Sequence, residues 1–184
     1  KNYLKTIELD KKNFVACFNI GNLFKLENKI EKAEKYLLEA IRLNPNFIRA
    51  YNNLFEIFDR SNQLDKFEKL LNLSKVNLKN KTFISFFSGI LDYKKKNYEN
   101  VIRIYEKINL DPNDTGHQIV INELLAKSYD NVKNYEKAFE TFQNSNNEIY
   151  KIYKSKYNKI NYINLINKRS DYFNKKNTSK WNDL

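Results

Sequence analysis

The sequence predicts an all-α protein built from stacked helix pairs. Three observations carry this. Only 3 Gly and 2 Pro occur in 184 residues, too few for the many tight turns of a β-sandwich or barrel. Apolar residues recur at spacings of three and four, which marks amphipathic helices. The pattern then returns about every 34 residues, which marks a solenoid of repeats.

The elements follow in order. Residues 1–13 (KNYLKTIELDKKN) read as the second helix of a preceding unit, with Tyr3, Thr6 and Ile7 inward. The first full unit is 14–47. Cys17, Ile20, Gly21 and Phe24 form one stripe, and Ile30, Ala33, Leu37, Ala40 and Ile41 form a second. Leu26-Glu27-Asn28-Lys29 turns between them, and Asn44-Pro45 stops the second helix. Gly21 and Ala33 let the two helices approach closely, while Phe24 and Leu37 fill the remaining space.

The second unit, 48–81, sets Tyr51, Leu54, Phe58, Leu64 and Leu71 at equivalent places. Here Phe55 and Phe67 stand where the first unit has Gly21 and Ala33. Two bulky rings cannot share a close contact, so a wider or rotated helix pair is expected. The third unit, 82–118, sets Gly89, Tyr98, Val101, Tyr105 and Ile108, and is lengthened by the loop Asp111-Pro112-Asn113-Asp114-Thr115-Gly116. The fourth, 119–147, sets Leu125, Ala126, Tyr129, Tyr135, Ala138, Phe142 and Ser145. Residues 148–176 suit a helical cap over the last apolar face, and 177–184 a linker to a further domain.

The unit 14–47 resembles the tetratricopeptide repeat (TPR). Ile20-Gly21, Phe24, Ala33, Leu37, Ala40 and Pro45 match that family's pattern; Cys17 replaces its Trp. The resemblance implies a right-handed superhelix of antiparallel helix pairs. Its concave surface, lined by the first helix of each unit, often holds a peptide. By that resemblance the groove residues are Val15, Phe18, Asn19 and Asn22; Arg49, Asn52, Asn53 and Glu56; Phe83, Phe86, Phe87 and Ile90; and Val120, Glu123, Leu124 and Lys127. Asn22 and Asn53 match two residues of the clamp by which some TPR modules hold a peptide carboxylate. Phe18, Phe83 and Phe87 stand where its cations belong, so the clamp is absent as a unit. The run Phe83-Ile84-Ser85-Phe86-Phe87 reads first as rings packed between helices, and second as a docking patch.

The C-terminal features carry a second resemblance. Tyr135-Glu136-Lys137-Ala138-Phe139, Asn146-Asn147, an Ile/Tyr/Asn-rich helix, Lys168-Arg169-Ser170-Asp171-Tyr172-Phe173 and Trp181-Asn182 follow in order. This is similar to the region joining TPR repeats to a sulfotransferase domain in a bacterial family. It implies a following domain that uses 3′-phosphoadenosine 5′-phosphosulfate (PAPS), and a repeat region that presents an acceptor or partner to it. No PAPS-binding or catalytic residue falls on this chain by that resemblance. A free-standing TPR adaptor for other proteins is the competing reading.

Charge adds little. The net charge is +11, with Lys outnumbering Arg 28 to 5. Asn, Lys, Ile, Tyr and Phe, all with AT-rich codons, make up 102 residues, so base composition accounts for much of the bias. Residues 148–184 alone carry +6. Their alternating Tyr150, Tyr153, Tyr157, Tyr162 and Lys151, Lys154, Lys156, Lys159 suit single-stranded nucleic acid, a third and weaker reading than a solvated cap. No apolar run approaches the ~20 residues of a membrane span, and a cytoplasmic location is expected. One Cys and one His exclude a Cys/His zinc site within the chain. His117 reads as a solvated loop residue and Cys17 as a buried thiol, so no catalytic, cofactor or metal residue is expected. The chain starts at Lys1 without Met, and is expected to be a piece of a longer protein.

Overall fold

The computed structural model describes residues 12–154, 164 and 166–168. Among these, every regular element is helical: α1 (Phe14–Leu26), α2 (Ile30–Leu43), α3 (Ile48–Arg60), α4 (Leu64–Asn77), α5 (Lys81–Lys94), α6 (Tyr98–Tyr105), α7 (Thr115–Asn131) and α8 (Tyr135–Lys154). Consecutive helices pack on each other as antiparallel pairs, and α5 also touches α7. The fold is a TPR-type α-solenoid. Residues 1–13, the expected preceding helix, lie almost entirely outside the described residues, as do 169–184.

Local chemistry sets the helix ends. Asn13, Asn80 and Asp114 each accept from a backbone N–H in the first turn of α1, α5 and α7, satisfying donors that a helix start leaves unpaired. The four turns inside pairs share one device. Asn28, Asn62, Lys96 and Lys133 have φ of 56°, 52°, 62° and 62°. They recur at intervals of 34, 34 and 37 residues. After each, the next N–H reaches back to a carbonyl inside the preceding helix: Lys29 to Phe24, Gln63 to Phe58, Asn97 to Asp92 and Asn134 to Tyr129. This is a Schellman cap, made here without glycine.

The core runs continuously from Cys17 on α1 to Ile121 on α7. Ala33, Leu37 and Ala40 are fully buried. In the second pair, Phe55 and Phe67 are both fully buried, with ring centroids 4.8 Å apart. The two rings thus meet across the α3–α4 interface, and Phe55 also stacks on Phe87 of α5 at 3.9 Å. In the third pair Gly89 returns at the same place, and the Tyr105 ring fills the space it leaves. The Tyr105 hydroxyl donates to the Phe86 carbonyl at 2.9 Å.

Two features depart from the sequence expectation. The helix α6 is only eight residues long and ends at Tyr105, before Ile108. The helix α8 continues through 147 and 148 without a break, so the segment expected as a cap begins inside it. On α8, Ala138 and Ser145 are buried as expected, but Tyr135 and Phe139 are 63% and 70% exposed, and Phe142 is also exposed. One neighbouring helix buries only one stripe of α8.

Candidate functional site

The first helices of the pairs, α1, α3, α5 and α7, contribute side chains to one open cleft of about 570 Å³. That lies within the roughly 300–1,000 Å³ of ordinary ligand pockets. Phe18, Asn22, Lys25 and Leu26 come from α1, and Ile48, Arg49, Asn52 and Asn53 from α3. Phe83 comes from α5 and His117 from α7.

Its floor is aromatic. Phe18 is 3% exposed and wedged against Phe47, ring centroids 5.0 Å apart. The Arg49 guanidinium lies over the other side of that ring, 4.8 Å from its centroid. This cation–π contact holds Arg49, an exposed residue, at the cleft. Phe83 closes the far side against Phe55 and Phe87.

One wall is a polar ladder between α1 and α3. The Asn53 amide donates to the Asn22 side-chain oxygen, and the Lys25 ammonium reaches the Asn53 oxygen at 3.4 Å. Lys25 also forms an ion pair with Glu56, which Arg60 holds from the other side at 3.0 Å. Lys25 and Arg60 thus share the single carboxylate of Glu56. Arg49 has no carboxylate within ion-pair distance among the described residues.

The other end holds His117. It lies in the first turn of α7, not in a loop as the sequence suggested, because Asp114 caps that helix and starts it at Thr115, four residues before the expected unit start at 119. Its Nδ1 sits 2.6 Å from the Asp114 carboxylate, and its ring stands edge-on to Phe86 at 4.3 Å. Partial burial pushes the Asp114 carboxyl up, but the hydrogen bonds and charge of His117 outweigh this and hold it below the usual aspartate range.

Of the groove residues expected from sequence, Phe18, Asn22, Arg49, Asn52, Asn53 and Phe83 line this cleft. Phe86 and Phe87 are buried among other rings, which is the packing role read first from that run. Asn19, Glu56, Ile90, Glu123 and Lys127 do not line the cleft, and Lys127 pairs with Glu123 along α7. Lys25, Leu26, Ile48 and His117 were missed. Lys25 and His117 carry signals that could have found them, a cation one turn after Asn22 and a ring in the first turn after an Asp cap.

The arrangement defines a helical-repeat protein with a polar, aromatic-floored cleft on the face made by its first helices. The comparisons agree on the class. Residues 14–47 match the tetratricopeptide repeat family. The fold is similar to the crystal structure of YrrB, described as "a TPR protein with an unusual peptide-binding site". The TM-score is 0.55 and the identity 16%, over 80% of this chain and 92% of that one. It is also similar to the crystal structure of MamA, with a TM-score of 0.61 and 18% identity over 84% and 88%. In sequence, the chain is 27% identical to the pentatricopeptide repeat-containing protein 1, apicoplast, of Plasmodium falciparum, over 71% of this chain. That alignment spans 21% of the relative's length.

No group of three or more His, Cys, Asp or Glu among the described residues is placed to hold a metal. No described helix is long and apolar enough to cross a membrane.

Proposed function

We propose that this chain acts by binding a polypeptide partner in the cleft between α1, α3, α5 and α7, as four TPR units at 14–47, 48–81, 82–118 and 119–147. The observation that carries this is the row of carboxamides, Asn22, Asn52 and Asn53, beside an aromatic floor. Asn52 offers a donor and an acceptor, the pair that an extended backbone presents, and the ladder positions Asn22 and Asn53 beside it with amide hydrogens left to donate. The partner is held by contacts, and the chain itself supplies no catalytic group. The peptide-binding site named for YrrB supports the same use of a similar fold. Fluorescence anisotropy with a labelled pool of degenerate octapeptides tests it. Saturable binding that Asn52→Ala weakens supports the site; binding that ignores Asn52→Ala places the ligand elsewhere.

For the parent protein, the reading favoured by the ordered features between Tyr135 and Asn182 is a following PAPS-dependent sulfotransferase domain. The repeats would then present its acceptor. Coding sequence after Leu184 that yields a strand and a Pro-Arg-Ser-Gly-Thr-Thr loop would support it. A chain that closes without such a loop is instead a TPR adaptor, and the cleft serves either.

A further inference from the structure

Resting on that reading of the cleft, we infer that its partner is an extended peptide whose acidic side chain docks on Arg49, next to an apolar side chain seated against Ile48 and Phe83. The argument is one of charge complementarity. The charged groups lining the cleft are Lys25 and Arg49, and His117 is a potential third cation; no lining residue is acidic. Lys25 pairs with Glu56, and His117 faces Asp114. Arg49 is the cation left over, exposed and anchored by its face on Phe18.

Anchoring matters because a guanidinium fixed on a ring loses less freedom when it meets a carboxylate, and its planar fork suits two parallel hydrogen bonds. The carboxylate would come from a side chain. A terminal carboxylate needs several converging cations, and the ladder of Asn22, Asn53, Lys25 and Glu56 is already internally paired. A nucleic-acid strand is disfavoured by the cleft's rings. Phe18 is buried under Arg49 and Phe83 is half-buried among rings, so neither offers an open face for base stacking.

The test uses the 184-residue chain and three fluorescein-labelled octapeptide pools. Each pool has Leu at its fourth place and Glu, Gln or Lys at its fifth, with the other places degenerate. Anisotropy titrations at low salt should show the Glu pool binding about tenfold tighter than the Gln pool, the size of one charge-assisted hydrogen-bonded contact. Lys should bind weakest. Arg49→Gln should abolish the preference for the Glu pool over the Gln pool. Asn52→Ala should weaken all three alike. Equal binding of the three pools, still sensitive to Asn52→Ala, overturns the acidic preference and spares the cleft. Binding of no pool overturns both. Displacement of the Glu pool by a dT oligonucleotide, with loss of oligonucleotide binding in Arg49→Gln, overturns the peptide in favour of nucleic acid. Circular dichroism of each variant shows whether it is folded, and Arg49→Lys provides a second variant that retains charge but loses the fork; it should keep only part of the Glu preference.

Discussion

Adding one methyl group at Gly89 tests the packing of the third helix pair. A Cβ built there lies 2.3 Å from two carbons of the Tyr105 ring and 2.7 Å from its hydroxyl oxygen. Carbon atoms in contact sit about 3.5–4.0 Å apart, so the ring must retreat by more than 1 Å. It has nowhere to go, being 3% exposed and tied by its hydroxyl to the Phe86 carbonyl. Overpacking of this kind costs about 1–3 kcal/mol. Losing the bond to a buried carbonyl adds about 1–3 kcal/mol. The better helix propensity of Ala returns about 1 kcal/mol. Gly89→Ala should therefore destabilise by about 1–5 kcal/mol. Gly21→Ala should cost less, because its overlap is smaller, 2.8 Å to Leu37 Cγ and 3.0 Å to Cδ2, and no hydrogen bond is broken. Gly116→Ala should be neutral or slightly stabilising, since nothing lies within 4 Å. Urea unfolding followed by circular dichroism orders the three variants. Pairing Gly89→Ala with Tyr105→Leu, the residue that stands at this place in the first two pairs, should recover part of the loss. A Gly89→Ala protein that unfolds like Gly116→Ala would refute the argument.

The remaining predictions are briefer. Lys96→Gly and Lys133→Gly should each stabilise by about 1 kcal/mol in thermal melts, because both lysines hold a left-handed backbone that costs a side chain about that much. Cys17 is buried, and burial pushes its thiol up. Ellman's reagent should therefore react slowly with the native chain and at full rate in urea. Asp114 has its folded carboxyl below the usual range, so its contribution is present above the unfolded pKa and is lost as pH falls through the folded one. Removing it with Asp114→Ala should flatten the acid limb of a stability-against-pH curve, and an unchanged limb would show that the His117 pair contributes nothing.

The sequence was most legible where one residue type has one structural meaning. Gly21, Ala33 and Ala40 can only mark close approach in a helix stack, and all three are buried. At Phe55 and Phe67 the sequence showed two rings at the contact but not their arrangement, in which they meet each other and Phe55 also stacks on Phe87. Legibility fell where one residue type serves two ends. In the run from Phe83 to Phe87, one ring lines the cleft and two go to the core, a choice made by the rotation of α5 and by Phe55 across the interface. The cleft's charge balance was hidden for another reason. Lys25 and Glu56 lie 31 residues apart, and helical periodicity says which face a side chain takes but not which neighbour its flexible end will find. His117 was misplaced because an Asp-rich segment offers several possible caps, and only packing against Phe86 selects Asp114.

The cleft draws its walls from four helices joined to one another through stacked interfaces. A ligand that touches α1, α3 and α7 at once is therefore a cross-brace. It strengthens the joints between neighbouring pairs more than the pairs themselves, and in a one-dimensional array those joints govern how far order propagates. Occupancy should make the separate pairs melt as one block, so the sharpness of the transition, and not only its midpoint, would register the bound state.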